Sequence, residues 1–470
     1  MTLPSFSSLS SASFTLSGLA SGSLFRSSLK VNPFASRIPN IFSSSSRSAK
    51  LFFLSTKKIR VFALRGSSGL KGRPEAVVLE AVRTPIGKYG GILKGVRPDD
   101  LAALMIRELL GRSKVDPAKI DDIYLGASNQ AGEDNRNVAR MAALLSGLPY
   151  SVPGATVNRL CGSGLEAVND AARVIWAGEG DVLLAGGVES MTRAPLVALK
   201  PEAGFKRGGL SLADTTIGWR FVNPGWSSDY PPLSMGETAE NLAEKYKISR
   251  GRQDEFAFNS HMKAVRAIDD GRFEGEVVPT PTPDRADGVK VDEGPRRETT
   301  IEKLATLKPV FRKNGTVTAG NSSGINDGAA GLLITSGDAA ESLPAKPIAR
   351  ILGTATAGVH PSYMGLGPVP ATKKLLSRLG MAMDEFGIVE LNEAFAAQVL
   401  ACMEEMPEFN PARMNPNGGA VALGHPIGCS GARIAVTLLH EMKRTKTRFG
   451  LATMCIGVGQ GIATAFELTD

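Results

Sequence analysis

The chain has 470 residues, more than one ordinary hydrophobic core holds, so two or three domains are expected. Hydrophobic residues make up 43% of it and charged residues 21%, which is typical of soluble globular proteins, and no run of about 18 apolar residues predicts a transmembrane helix. The formal net charge of +8 lies at the N-terminus: residues 1–65 contain nine Lys or Arg and no acidic residue, which leaves −1 on residues 66–470. Nucleic-acid binding therefore loses its main support.

Residues 1–65 form a basic, serine-rich leader. They contain eighteen Ser and no Asp or Glu, which is the composition of an organelle transit peptide. The first basic residue is Arg26 and no basic amphipathic helix begins the chain, which favours a plastid over a mitochondrion. We expect cleavage near residues 60–70 and a mature protein in the organelle matrix; a tail without function is the alternative. The final "AFELTD" is not the peroxisomal tripeptide.

The folded part begins near Pro74, where strand and helix patterns start to alternate. β-Branched runs bounded by turn residues predict strands, and apolar residues at helical spacing predict helices. Alternation of this kind indicates an α/β fold with layers of helices on a sheet. The segments, in chain order, are the strand "AVVLEAVRTPIG", the helix "DDLAALMIRELLGRS", the strand "DIYLGAS", the helix "RNVARMAALLSGL", the strand "GATVNRL", the helix "GLEAVNDAARVIWAG" and the strand "DVLLAGGVESM".

The pattern changes over residues 191–316, which we interpret as an inserted lid or binding subdomain. Two charged amphipathic helices are predicted there, over "SMGETAENLAEKYKISRGRQDEFAFNSHMKAVRAIDDG", between long irregular stretches. The α/β pattern resumes at "GTVTAGNSSGINDGAAGLLIT". Moreover, "CGSGLEAVNDAARVI" with "DVLLAGGVES" is echoed by "CSGARIAVTLLHEM" with "RFGLATMCIGVG", which suggests two similar halves. The predicted halves are residues 75–190 plus 317–346, and residues 347–470.

Four cysteines without paired spacing predict free thiols in a reducing compartment. Neither CxxC nor HExxH occurs, so no metal site is expected. Cys161, in "VNRLCGSGLEAV", directly precedes a predicted helix, whose N-terminus stabilises an anion and lowers a thiol's pKa. Gly162 and Gly164 permit close approach of a backbone or substrate. The residue is therefore either a small core side chain or a nucleophile.

Three further stretches contain candidate catalytic residues. His425 stands among glycines and prolines in "NPNGGAVALGHPIGCSGAR", where it either caps a turn or takes a proton from a nearby thiol. Cys455 ends a strand before the glycine-rich turn of "MCIGVGQGIA", and the strand-like residues that follow argue against a dinucleotide fingerprint. Asn392, in "VELNEAFAAQVL", is either the N-cap of a helix starting at Ala394 or a donor near an oxyanion. Cys429 is interpreted as structural.

Together, "NRLCGSG", "NEAF", "NGGAVALGHPIGCSG" and "CIGVGQGIA" resemble the thiolase family in order and approximate spacing, over residues 75–470. The resemblance implies a five-layered αβαβα fold of two similar halves with an inserted loop domain. It implies an acyl-CoA C-acyltransferase that cleaves 3-ketoacyl-CoA with coenzyme A, or runs the reverse condensation. Acyl-CoA and CoA would be its substrates, with no permanently bound cofactor. It also implies a homodimer or homotetramer, with no membrane insertion.

The resemblance assigns roles by position. Cys161 would be the nucleophile that carries the acyl group, His425 its base, and Cys455 the second acid/base. One oxyanion site would use His425 with a water held by Asn392, and the other would use the backbone N–H groups of Cys161 and Gly457. The resemblance further implies four substrate-binding residues: Ser323, Arg296, Met235 and Phe395.

One position departs from the family pattern. Short-chain biosynthetic thiolases have a histidine directly before the Met-Gly of the loop domain, whereas this chain has Ser234, which argues against a strict acetoacetyl-CoA role. "DTTIGWRFVNP", residues 214–224, resembles instead the β-ketoadipyl-CoA and broad degradative 3-ketoacyl-CoA thiolases. A ketoacyl-synthase-like condensing enzyme and a catalytically silent acyl-CoA-binding protein are the alternatives; the first has no second catalytic cysteine.

Overall fold

A computed structural model describes residues 72–201, 204 and 209–469. The predicted leader, residues 1–65, lies outside the described residues. The strands are β1 Ala76–Arg83, β2 Gly87–Lys88, β3 Asp122–Gly126, β4 Ala155–Val157, β5 Val182–Ser190, β6 Leu196–Val197, β7 Ala213–Asp214, β8 Thr280–Thr282, β9 Arg285–Val289, β10 Asn326–Ser336, β11 Ala349–Gly358, β12 Ile388–Leu391, β13 Phe449–Ile456 and β14 Gln460–Leu468.

The α-helices alternate with these strands as the sequence predicts. They are α1 Pro98–Ser113, α2 Val138–Leu145, α3 Ser163–Ala177, α4 Trp226–Asp229, α5 Met235–Lys245, α6 Arg250–Asp269, α7 Ile301–Ala305, α8 Gly337–Ala340, α9 Pro368–Leu379, α10 Ala396–Glu405, α11 Ala420–Leu423 and α12 Ile427–Thr445. None of the helices in the described part of the chain combines the length and hydrophobicity needed to cross a membrane.

Local sequence explains where the main helices begin and end. α1 starts with Pro98 and two aspartates in its first turn, and a proline in that position loses no hydrogen bond. α5 starts with a capping box, in which the Ser234 hydroxyl accepts from the Glu237 N–H while the Glu237 carboxylate accepts from Ser234. The serine that departs from the short-chain pattern is therefore used as a helix cap. α3 ends at Gly178 in the left-handed conformation.

Ten of the described strands form one mixed sheet in the order β4-β3-β5-β10-β1-β11-β14-β13-β12, with β2 paired to β10, while β6 pairs with β7 and β8 with β9 in two separate two-stranded sheets. In each half the last strand, β10 or β14, runs antiparallel to both of its neighbours and lies beside the first strand, β1 or β11. β1 and β11 join the halves through the pairs Val77–Arg350 and Val78–Ala349. The mirrored order confirms the two similar halves read from the repeated sequence.

Three hydrophobic clusters reveal five layers. α3 and α12 pack between the two half-sheets, in a cluster that draws on strands of both halves. α1 and α2 cover the outer face of the first half-sheet, and α9 and α10 that of the second. The predicted αβαβα arrangement is therefore confirmed.

The segment between β5 and β10 contains β6–β9 and α4–α7. It is tied to the core by Arg83 on β1, whose fully buried guanidinium bonds the carboxylates of Glu276 and Asp292. Such a network is costly to break because a partner left alone would be a buried unpaired charge. The two helices predicted in this segment are α5 and α6. The exact domain boundaries given above stay predictions.

Candidate active site

Cys161 lies in a tight turn just before α3. Gly162 is the N-cap of the helix, and Leu160 has a φ of 47°, a left-handed conformation that its side chain disfavours. The Ser163 hydroxyl holds this turn: it accepts from the Arg159 N–H at 2.9 Å and donates to the Leu160 carbonyl at 2.6 Å. The predicted helix start is therefore confirmed, and the turn positions the thiol with stored backbone strain.

The pKa of Cys161 is raised, contrary to the expectation from the helix N-terminus. Burial of the thiol is the largest cause, and the nearby Glu189 carboxylate adds to it. The backbone N–H groups of Gly457 and of Cys161 itself act in the opposite direction. Desolvation of the charged form thus outweighs the favourable helix end, so the resting group is a thiol that needs a base.

Glycines bring the starts of α3 and α12 together. A Cβ at Gly164 would lie 2.8 Å from the Ala432 N atom, and one at Gly431 would collide with the backbone N of Leu165. A side chain at either position would therefore push the two helices apart. Of the two close approaches expected at Gly164, by a backbone or by a substrate, the structure shows the approach of a backbone, that of α12. The contact brings the first turn of α3, which directly follows Cys161, to the first turns of α12.

His425 precedes α12 and is 8% exposed. Its backbone N–H donates to the Asn326 side chain at 3.0 Å, and its Nδ1 lies 2.6 Å from the Ser430 Oγ. The Ser430 hydroxyl also lies 2.8 Å from the Pro426 carbonyl, which can only accept, so its single proton is used there. This arrangement favours an Nδ1–H that donates to the Ser430 hydroxyl, and in that tautomer the His425 Nε2 is an acceptor.

The charge state of His425 suits a base. Burial lowers its pKa to about 4, and the positive charge of Arg433 adds to the lowering. The imidazole is therefore neutral near pH 7. A neutral imidazole with a free Nε2 can take a thiol proton.

Cys455 and Gly457 lie where β13 turns into β14. Cys455 is 1% exposed, and its pKa is raised well above the ordinary value, first by burial and then by the neighbouring Cys161. The Gly457 N–H lies within hydrogen-bonding reach of the Cys161 sulfur. Two thiols from opposite halves of the fold thus meet at one turn. The strand after this turn, β14, is consistent with the prediction against a dinucleotide fingerprint.

Asn392 follows β12 and is fully buried. Its backbone N–H donates to the Thr453 carbonyl, two residues before Cys455. Neither the Oδ1 nor the Nδ2 of its side chain has a partner among the described residues. α10 begins at Ala396 with Phe395 as N-cap, so Asn392 is not a helix cap and the helix start predicted at Ala394 is two residues too early. A buried amide without partners is suited to hold a water or substrate oxygen.

Comparison with known proteins agrees with this geometry. Residues 76–338 match the thiolase N-terminal domain and residues 345–468 the thiolase C-terminal domain. The chain belongs to the thiolase family. It is therefore an acyltransferase of the thiolase type, with coenzyme A as co-substrate and no permanent cofactor. A thiolase is favoured over the ketoacyl-synthase-like alternative.

Three relatives illustrate the similarity. β-Ketoadipyl-CoA thiolase of Escherichia coli is 54% identical over 399 residues, which cover 84% of this chain and 99% of the relative. The 3-oxoadipyl-CoA/3-oxo-5,6-dehydrosuberyl-CoA thiolase of Escherichia coli K12 has the same identity and coverage. Among solved structures, human mitochondrial 3-ketoacyl-CoA thiolase in complex with CoA matches with a TM-score of 0.79 and 40% identity, over 84% of this chain and 98% of that one.

The four predicted substrate-binding residues of this thiolase fall into two groups. Met235 and Phe395 belong to the small apolar cluster that contains Cys455. Ser323 is half-buried and bonded through its backbone to the Ala394 carbonyl, beside Phe395. Arg296 is exposed, and its guanidinium bonds none of the described residues. The structure therefore brings three of the four to the thiols, while Arg296 lies on the surface of the segment between β5 and β10.

Two residues of the site escaped the sequence reasoning. Ser430 was overlooked although it follows Cys429 in a quoted motif, because a partner for its hydroxyl is not visible in sequence. Glu189 is the next-to-last residue of β5, and its buried carboxylate accepts from Ser128 and from the Gly428 N–H. The sequence signal for Glu189 was a single acidic residue near the end of the otherwise uncharged strand "VLLAGGVES".

Proposed function

We propose that this thiolase cleaves 3-ketoacyl-CoA through an acyl-Cys161 intermediate and accepts acyl groups that end in a carboxylate. The observation that carries the mechanism is the meeting of two thiols, the partly buried Cys161 and the buried Cys455, at the Gly457 turn. The names of the bacterial relatives, β-ketoadipyl-CoA and 3-oxoadipyl-CoA thiolase, support the substrate class.

Cleavage begins with proton transfer from the Cys161 thiol to the His425 Nε2. The thiolate attacks the 3-keto carbon, and collapse of the tetrahedral adduct breaks the C2–C3 bond. The electron pair of that bond passes to the acetyl-CoA enolate, which takes a proton at C2 from the Cys455 thiol. Acetyl-CoA leaves, and the acyl group remains on Cys161 as a thioester.

The second half restores both thiols. The Cys455 thiolate takes the proton of incoming CoA, and the CoA sulfur attacks the acyl-Cys161 carbonyl. The Cys161 sulfur leaves and regains its proton from the His425 imidazolium. Negative charge develops on two carbonyl oxygens along this route. Asn392, with a water and His425, would stabilise one, and the N–H groups of Cys161 and Gly457 the other.

Paired cysteine variants test the mechanism. Cys455→Ala should still be acetylated at Cys161 by acetyl-CoA, seen by mass spectrometry, but should lose about 10²–10⁴ in thiolysis rate. Cys161→Ala should lose both. Cys402→Ala, another buried cysteine, is the matched control. Near-normal thiolysis by Cys455→Ala would refute the assigned acid/base, and failure of folded wild type to acetylate would favour a silent binding protein.

We also propose that Arg296 binds a CoA phosphate. Its guanidinium is exposed and bonds none of the described residues. The guanidinium of the neighbouring Arg297, in contrast, pairs with Asp269. Arg296→Gln should raise KM for CoA several-fold with little change in kcat. Arg297→Gln is the matched control, and equal effects of the two would contradict the assignment.

We infer an organelle matrix location, with a plastid favoured and a mitochondrion next, from the composition of residues 1–65. A fusion of these residues to a fluorescent protein reports the destination, and an intact Met1 on protein from the matrix would overturn the proposed cleavage.

We further propose a homodimer or homotetramer. β4 is the terminal strand of the sheet order, and the adjacent Tyr150 is 87% exposed, which suits pairing with another chain. Light scattering measures the assembly, and a monomer would contradict it.

A further inference from the structure

Five aromatic side chains form a continuous row beside the site. They are Trp219, Trp226 and Tyr230, from the segment between β5 and β10, and His360 and Tyr363, which follow β11. Successive ring centroids are 5.2, 5.7, 5.6 and 6.0 Å apart, and the planes are tilted by 47–59°. These are favourable geometries for aromatic pairs. The row therefore joins two segments that are distant in sequence into one surface.

The His360 end of this aromatic row adjoins the catalytic turn. The Val359 N–H donates to the Gly459 carbonyl at 2.8 Å, and Gly459 follows Gly457 by two residues. Tyr363 directly precedes Met364, which packs in the apolar cluster that contains Cys455. This end is thus fixed against both the turn and the second thiol.

The Trp219 end is fixed to the same turn from the other side. Trp219 donates through its Nε1 to the Leu233 carbonyl at 2.8 Å, just before α5. Met235, the first residue of α5, has its sulfur 3.5 Å from where a Cβ at Gly457 would lie. Both ends of the aromatic row therefore adjoin the place where the acyl group is cleaved.

The aromatic row carries two N–H donors suited to an anionic oxygen. The Trp226 Nε1 is buried and has no acceptor among the described residues. The His360 Nδ1 accepts from the Ser362 N–H at 3.2 Å, so in the neutral ring the proton is on Nε2. The Lys245 ammonium lies 5.0 Å from the Tyr363 ring centroid and adds positive charge. An alkyl tail would leave either donor unpaired, whereas a carboxylate oxygen accepts from it.

We propose that the aromatic row binds the distal end of the acyl group, and that Trp226 and His360 donate to its terminal carboxylate. The inference rests on the proposed function and assigns the residues that select the substrate. The rings pack on the methylene chain, while the two donors distinguish a dicarboxylic acyl group from an alkyl one of equal length.

Matched substrates and variants test this subsite. The readout is the ratio of kcat/KM for 3-oxoadipyl-CoA to that for 3-oxohexanoyl-CoA, which has the same chain length without the carboxylate. His360→Asn keeps an acceptor for the Ser362 N–H but loses the Nε2 donor, and Trp226→Phe keeps a ring but loses its N–H. Each should lower the ratio about 10- to 100-fold, the range for a hydrogen bond to a charged group. His360→Gln, which returns a donor near the Nε2 position, should recover part of it.

The outcomes distinguish a failure of the subsite from a failure of the proposed function. Tyr89→Phe, at an exposed ring outside the aromatic row, should keep the wild-type ratio. A wild-type ratio in both His360→Asn and Trp226→Phe would overturn the subsite, as would equal losses on the two substrates. Absence of thiolysis by wild type on every 3-ketoacyl-CoA, acetoacetyl-CoA included, would instead overturn the proposed function.

Discussion

Replacement of Ser430 by alanine should impair the base without touching the thiols. In the wild type the Ser430 hydroxyl accepts from the His425 Nδ1–H at 2.6 Å while donating to the Pro426 carbonyl at 2.8 Å. Alanine removes this acceptor, so a ring that keeps Nδ1–H leaves a buried donor unpaired. The ring can instead move its proton to Nε2, where it blocks proton transfer from Cys161.

The structure sets the size of this effect. An unpaired buried donor costs about 1–3 kcal/mol, and this is the preference for the Nδ1–H tautomer that Ser430 supplies. Because each 1.36 kcal/mol changes a population tenfold, the productive tautomer and kcat should fall between about fivefold and a hundredfold. Wrong-tautomer variants of histidine-dependent enzymes lose activity for the same reason.

The assay is CoA-dependent cleavage of acetoacetyl-CoA, together with the rate at which iodoacetamide alkylates Cys161 as a function of pH. Thr437→Val is the matched control, because it removes another fully buried hydroxyl from α12 that bonds Glu276 and not His425. It should lower stability similarly and leave kcat near wild type. Wild-type kcat and an unchanged alkylation profile in Ser430→Ala would refute the tautomer argument.

Three further predictions concern packing, the orphan amide and pH. Gly431→Ala should cost about 1–3 kcal/mol or more in the free energy of unfolding because it separates α3 from α12, whereas Gly251→Ala, in an open helical position, should be neutral or slightly stabilising; equal denaturation midpoints would contradict this. Asn392→Ala should lose about 10²–10³ in kcat without loss of stability, since its amide has no protein partner; a parallel loss of both would make it structural. Burial lowers the pKa of His425 and His261 to about 4, so their contribution to stability is lost as pH falls from about 6.5 to 4, whereas burial raises the pKa of Asp134 to about 7, and this carboxyl acts in the opposite direction; Asp134→Asn should therefore lose stability more steeply than the wild type as pH falls from 7 to 4.5, and an identical pH profile of the denaturation midpoint would refute it.

The elements and the main site residues could be predicted because their signals are local. Helical spacing, capping residues and glycine turns act within a few residues, and they placed Cys161 before α3 and Cys455 at the end of a strand, where β13 contains it as the next-to-last residue. The prediction about the Cys161 pKa was wrong because its cause is not local. A side chain at Gly162 would meet Ile456, so burial of this turn depends on a strand almost three hundred residues away.

Partners across long sequence separations explain what was missed. Glu189 bonds Gly428, 239 residues later, and Tyr230 stacks on His360, 130 residues later. No periodicity links such positions, because only the topology of the sheet makes them neighbours. Ser430 is different, since its partner is five residues away. There the missing knowledge was the direction of a hydroxyl proton, which only the Pro426 carbonyl reveals.

The repeated sequence explains why the starts of α3 and α12 meet. "SG" recurs as Ser163-Gly164 at the start of α3 and as Ser430-Gly431 near the start of α12, and the two helices hold equivalent places in the two halves. Each glycine admits the backbone of the other helix. Each serine fixes the turn before its own helix: Ser163 bonds the turn that carries Cys161, and Ser430 bonds His425. Ser163 and Ser430 thus occupy equivalent helix starts, and the turns that they bond carry the two residues proposed above as nucleophile and base.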